Sequence, residues 1–97
     1  MIIHLRIEGI VQGVFYRQTI IKKAQQIGGI SGWVRNRTDG SVELLAQGDE
    51  NNLLALKNQC KIGSSSSVVT AVEELSVDDT TALPPVIDGV FRKESDL

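Results

Sequence analysis

The order of hydrophobic patterns along the chain predicts an α+β domain in which four strands and two helices follow one another as βαββαβ, both helices covering one face of an open antiparallel sheet. Three observations carry this expectation. Residues 3–8 alternate between apolar Ile3, Leu5, Ile7 and polar His4, Arg6, Glu8, which is the period of a half-buried strand. Tyr16, Ile20, Ala24 and Ile27 are spaced by four, four and three, and so line one side of a helix. Asp39-Gly40 separates two strand-like runs at 30–36 and 41–47, where glycine permits the positive φ that a tight hairpin requires.

Taken in order, the first strand ends at Gly9 and a short loop leads into a helix over 16–27, which Gly28-Gly29 stops. Strands 30–36 and 41–47 then pair about the turn Arg37-Thr38-Asp39-Gly40. Asp49 is placed to cap a second helix by accepting from its first backbone N–H groups; Leu53, Leu56 and Cys60 fall on one stripe of that helix and Gly63 ends it. Residues 64–67 are four serines forming a polar link, and 68–77 is rich in β-branched residues, which reads as a fourth strand although its in/out alternation is indistinct. Acids, threonines and Pro84-Pro85 make 78–88 an irregular crossing before a short fifth strand at 90–93. The sum is a ferredoxin-like βαββαβ sandwich, with the first and third strands central.

The bulk composition narrows the function. At 97 residues the chain is one domain, residues 1–97, with an apolar content of 41% and four aromatic residues, so Ile, Val and Leu carry most of the packing. Ten basic and twelve acidic residues give a net charge of −2, which argues against a general nucleic-acid or anionic-membrane binder and makes any anion site local. A single cysteine, Cys60, and a single histidine, His4, allow neither an intrachain disulfide nor a recognisable zinc set. A reducing, cytoplasmic setting is expected, since no signal-peptide h-region and no apolar run of about 18 residues occurs. The small core and polar exterior make a monomer the default.

One stretch carries chemistry. Gly9-Ile10-Val11-Gln12-Gly13-Val14-Phe15-Tyr16-Arg17 joins the first strand to the first helix. A turn of this kind leaves backbone N–H groups unpaired at the helix N-terminus, and with the positive end of the helix dipole they favour a phosphate-like dianion. Arg17 adds a planar fork. In a βαββαβ topology this turn lies near the end of the second strand, so Arg17 and Asn36 can face each other despite nineteen intervening steps of sequence. Elsewhere the bland readings prevail: Trp33 packs on the sheet, Arg35 and Arg37 are solvated, His4 faces out, and Cys60 is a small core residue.

The run at 9–17, followed by Gly-Trp-Val-Arg-Asn at 32–36 and Asp-Gly-Ser-Val-Glu at 39–43, resembles the two signature segments of the acylphosphatases, in the same order. The resemblance extends more loosely over most of residues 3–77. It implies hydrolysis of acyl phosphates, the mixed anhydrides of carboxylic and phosphoric acids, to carboxylate and inorganic phosphate, with no cofactor, no metal and no covalent phosphoenzyme. By the same resemblance, the backbone N–H groups of Gln12, Gly13, Val14, Phe15, Tyr16 and Arg17 together with the Arg17 guanidinium hold the phosphoryl oxygens, and the Asn36 amide positions the attacking water. Placement and charge stabilisation are what phosphoryl transfer asks of a protein. Neither Arg17 nor Asn36 can act as a base, which leaves a substrate oxygen to take the water's proton.

Two departures from the family pattern stand out. One residue is added between Gly28 and Trp33; it is either absorbed in the Gly28-Gly29 turn or shifts the second strand and turns Asn36 away, and the retained Asp-Gly turn favours absorption. The chain also ends Phe91-Arg92-Lys93-Glu94-Ser95-Asp96-Leu97 in place of a closing aromatic, so Phe91 is expected to pack and the following residues to fray. The runner-up function is a non-catalytic anion-binding or partner-docking domain of the same fold. An RNA-binding βαββαβ module comes third, because strand 41–47 offers no aromatic on which a base could stack.

Overall fold

A computed structural model describes residues 1–78 and 82–96 of the chain. Its elements are β1 (Ile2–Ile10), α1 (Tyr16–Ile27), β2 (Ser31–Asn36), β3 (Val42–Gln47), α2 (Glu50–Ile62), β4 (Val68–Leu75) and β5 (Phe91–Lys93). The sheet order is β4-β1-β3-β2-β5, with β1 and β3 central among the first four strands as the βαββαβ pattern requires. Those four pair antiparallel throughout, whereas β5 runs parallel to β2, so the sheet as a whole is mixed. The parallel edge has a topological cause. Because β4 and β5 lie at opposite edges, their connection crosses the sheet instead of turning back beside its neighbour.

One core forms between the helices and the sheet. Ile3, Leu5 and Ile7 of β1, Leu44 and Ala46 of β3 and Val34 of β2 meet Ile20 and Ala24 of α1 and Leu53, Leu56 and Cys60 of α2. Burying a side chain of this kind contributes about 1.5–3 kcal/mol relative to leaving it exposed, and the period-two and period-four spacings determine which residues are buried. Phe91 joins this core, as its aromatic character suggested.

The Gly28-Gly29 turn delivers β2 to the sheet in regular register. Gly28 and Gly29 both adopt left-handed φ, 77° and 68°, a conformation costly to any other residue. The β2–β3 register then runs without a break from Ser31 opposite Gln47 to Asn36 opposite Val42. At the start of α2 one expectation is corrected: Asp49 occupies the N-cap position but makes no side-chain cap hydrogen bond, and its contribution is the backbone carbonyl that accepts from Leu53 N at 2.9 Å. β4 also ends at Leu75, short of the expected 77.

The helix-free face holds what the sequence pattern misjudged. His4 and Arg35 do point away from the helices, yet both are buried, and Glu43 between them is 1% exposed. His4 Nε2 donates to Glu43 Oε2 at 2.6 Å and Arg35 Nε donates to Glu43 Oε1 at 2.7 Å. Arg37 is half-buried, with Nη1 3.7 Å from Glu43 Oε2, so neither arginine is simply solvated. The Arg35 guanidinium lies 4.9 Å from the centroid of the Trp33 ring, and Trp33 Nε1 donates to the Pro84 carbonyl at 2.9 Å. Pro84 thus lies against this face beside Trp33. Strand alternation reports which face a residue takes but not what it meets there.

Burial alone would push the Glu43 carboxyl up, but the hydrogen bonds from His4 and Arg35 and their positive charge outweigh it and hold the group below its usual range. A carboxylate whose folded pKa is depressed stabilises the fold above its unfolded value, and this contribution is lost as pH falls through the folded value. Urea stability is thus expected to fall from about pH 5 downward. In Glu43→Gln, neutral-pH stability should drop by on the order of 3 kcal/mol, because Arg35 keeps a buried charge without its counter-charge, and the acid limb of the stability profile should flatten. An acid limb unchanged in the variant would place the titrating group elsewhere.

Candidate active site

Between β1 and α1 the chain makes a turn that is open on its outer side. Gly13 and Phe15 both have left-handed φ, 72° and 62°, and a β-carbon added at Gly13 would meet nothing within 4 Å. Phe15 stands at the N-cap of α1 with no side-chain cap, and the first turn of that helix contains no acidic residue to offset its dipole. The earliest backbone donor of this helix that is taken is Thr19 N, which bonds to Phe15 O at 3.1 Å. Among the described residues nothing accepts from the N–H groups of residues 13–17, so these donors are free for an external anion.

Three side chains hold the turn in place. Gln12 Nε2 donates to the carbonyls of Arg37 at 2.8 Å and Ser41 at 2.9 Å, which ties the turn to the β2–β3 hairpin. Ser64 Oγ donates to Val14 O at 2.7 Å, which gives the serine link a structural task. Tyr16 is buried and its hydroxyl donates to Cys60 O at 2.7 Å; burial pushes the phenol far above its ordinary value, so it remains a donor. The Cys60 thiol is pushed up to about 12 by burial, as suits a core residue and not a nucleophile. Of the residues expected to hold phosphate, Gln12, Val14 and Tyr16 therefore commit their side chains or carbonyl to the scaffold, and only their N–H groups remain to face the turn.

A cleft of about 490 Å³ opens over this turn, lined by Val11, Gly13, Phe15, Arg17, Ile21 and Lys93 among others. Arg17 and Asn36, expected to face each other, converge on a single oxygen. Arg17 Nη1 donates to Asp96 Oδ1 at 2.7 Å and Asn36 N donates to the same atom at 3.3 Å, which brings the two donors within about 6 Å of each other. The Asn36 side-chain Oδ1 is buried and has no hydrogen-bond partner among the described residues.

Two residues at the cleft were not foreseen. Lys93 lines it from β5, and Asp96 reaches it from the segment that follows. The expectation that residues after Phe91 fray is corrected for 92–96. Glu94 N donates to Val34 O at 2.9 Å, extending the contact with β2, and Glu94 also pairs with Arg92 at 2.7 Å. Only the parallel docking of β5 on β2 reveals this, and nothing local in Arg92-Lys93-Glu94-Ser95-Asp96 announces it.

Fold and turn together define a ferredoxin-like α+β domain whose strand-to-helix loop presents unpaired N–H groups. The acylphosphatase family model matches residues 3–84. An acylphosphatase of Synechococcus sp. is 46% identical over 77 residues, 79% of this chain and 65% of that protein. One from Thiobacillus denitrificans is 44% identical over 71 residues, 73% of this chain and 79% of that protein. The crystal structure of acylphosphatase from Bacillus subtilis superposes with a TM-score of 0.81 at 32% identity, covering 97% of this chain and 99% of that one. The chain belongs to the acylphosphatase family.

The role of Gln12 is open to a direct test. Gln12→Ala removes two hydrogen bonds that fasten the turn to the hairpin, and should lower unfolding free energy by about 1–2 kcal/mol in urea titration. It should also weaken inorganic-phosphate binding, as a loosened turn no longer presents its N–H groups together.

Proposed function

We propose that the chain hydrolyses acyl phosphates to carboxylate and inorganic phosphate, with the N–H groups of Gln12, Gly13, Val14, Phe15, Tyr16 and Arg17 and the Arg17 guanidinium holding the phosphoryl oxygens, and Asn36 positioning the attacking water. Membership of the acylphosphatase family supports the reaction. The observation that most supports the reading is that the Arg17 guanidinium and the Asn36 backbone N–H meet at one anionic oxygen, which sets the two residues side by side.

The step balances within substrate and water. The water oxygen forms a bond to phosphorus, the bond from phosphorus to the acyl oxygen breaks, and its electron pair leaves as carboxylate. The water's proton passes to a phosphoryl oxygen, since neither Arg17 nor Asn36 accepts one. Fixed donors stabilise the charge on the equatorial oxygens without reorganising. The Asn36 side-chain amide hydrogen-bonds the water and so turns a lone pair toward phosphorus. The acyl half lies against the apolar side of the cleft formed by Val11, Phe15 and Ile21.

We read residues 1–97 as one domain acting as a cytoplasmic monomer on a small-molecule substrate. No helix among the described residues is long and apolar enough to cross a membrane.

Hydrolysis of benzoyl phosphate in the presence of chelator tests the reading. Arg17→Ala should nearly abolish turnover, and Arg17→Lys should not restore it, because an ammonium cannot give two parallel hydrogen bonds. Asn36→Ala should lower kcat by on the order of a hundredfold or more and leave phosphate binding largely intact; loss of phosphate affinity in that variant would overturn the division of labour. Phe15 supplies a second test, since its ring is 73% exposed beside the cleft and its backbone is left-handed. Phe15→Gly should raise the melting temperature slightly by relieving backbone strain, while increasing KM several-fold for benzoyl phosphate but not for acetyl phosphate. An equal change for both substrates would remove Phe15 from the acyl site.

A further inference from the structure

β5 runs parallel to β2, with Phe91, Arg92 and Lys93 opposite Gly32, Trp33 and Val34. The chain therefore leaves β5 at the end of the sheet where β2 finishes in Asn36, and the bond from Glu94 N to Val34 O carries it one step further in that direction. Two residues on, the Asp96 carboxylate meets the site. One of its oxygens accepts from Arg17 Nη1 at 2.7 Å and from the Asn36 backbone N at 3.3 Å, so a single negative oxygen bridges the guanidinium assigned to phosphate and the backbone of the asparagine beside it. No other acidic group pairs with Arg17 among the described residues.

We infer that Asp96 is an internal anion that competes with the substrate's phosphoryl group for Arg17, and so sets the affinity of the site for phosphorylated ligands; the inference rests on Arg17 being the phosphate-binding arginine. A carboxylate and a phosphoryl group present the same acceptor geometry to a guanidinium, and a negative charge against Nη1 opposes the approach of a second. The contact is also one that substrate can displace. The Arg17 and Asp96 side chains are 23% and 56% exposed, and such pairs are weak and screened by salt. A phosphoryl dianion that also takes the open N–H groups of the turn has more to gain than a carboxylate that does not. The segment thus holds Arg17 when the cleft is empty and gives way when it fills.

A positioning role, in which Asp96 aims the guanidinium at substrate, predicts the opposite sign, and this makes the proposal testable with the full chain. The measurements are the Kd for inorganic phosphate by titration calorimetry and KM and kcat for benzoyl phosphate, at low and high ionic strength, for wild type, Asp96→Asn, Asp96→Ala and Arg17→Ala. Competition predicts that both Asp96 variants lower Kd and KM by about two- to fivefold at low salt, leave kcat unchanged, and converge on wild type at high salt. A Kd that is unchanged or higher in the Asp96 variants, or a kcat that falls with them, overturns it. Arg17→Ala separates the two ways of failing. Phosphate affinity unmoved by Arg17→Ala sinks the assignment of the site itself, whereas affinity lost in Arg17→Ala but not gained in the Asp96 variants sinks only the competition.

Discussion

The site depends on the fact that β1 and β2 are both antiparallel to β3, and so run in the same direction on either side of it. Val42 marks the place: it stands opposite Ile7 of β1 and opposite Asn36 of β2. The exits of the two strands consequently lie at one end of the sheet. The turn that begins after β1 and the asparagine that finishes β2 become neighbours through backbone pairing alone. β5 inherits the same geometry by running parallel to β2, which is why Lys93 and Asp96 arrive at that end and not at the other. The groups at the cleft come from strand exits and from the first two turns of α1 beside them.

Backbone pairing sets the neighbourhood, and a few hydrogen bonds set the aim. A turn with several unpaired N–H groups costs stability, because such donors do best when satisfied. Gln12, Ser64 and Tyr16 offset that by bonding carbonyls on the hairpin, on the turn itself and on α2. The scaffold is satisfied on its inner side, which leaves the outer donors without internal claims. This division explains why Phe15 tolerates a left-handed backbone: the turn has to reverse there to present Arg17 on the first helical residues.

On the opposite face, Glu43 is pinned by His4 and Arg35, with Trp33 beside Arg35 and bonded to the Pro84 carbonyl. Buried charge of this sort contributes little net stability compared with apolar packing, yet removing one member leaves the others uncompensated. Its arrangement also fixes the pairing of three strands, since His4, Arg35 and Glu43 come from β1, β2 and β3 respectively.

Much of this protein is written in local pattern. Alternation in residues 3–8, the four-four-three spacing from Tyr16 to Ile27 and the Asp39-Gly40 turn determine the elements, their order and the inward faces, because burial of one face acts residue by residue on a fixed period. The glycine-flanked turn at 9–17 was likewise legible, because glycine sets its backbone through short-range geometry. Tertiary structure alone decided the rest. That His4, Arg35 and Glu43 meet as one buried cluster depends on the pairing of three strands, and alternation within a single strand holds no record of it. The parallel docking of β5 follows from where β4 ends, and with it comes the approach of Asp96 to Arg17. Such contacts are made between surfaces that exist only once the sheet has formed, so no local period in the chain encodes them.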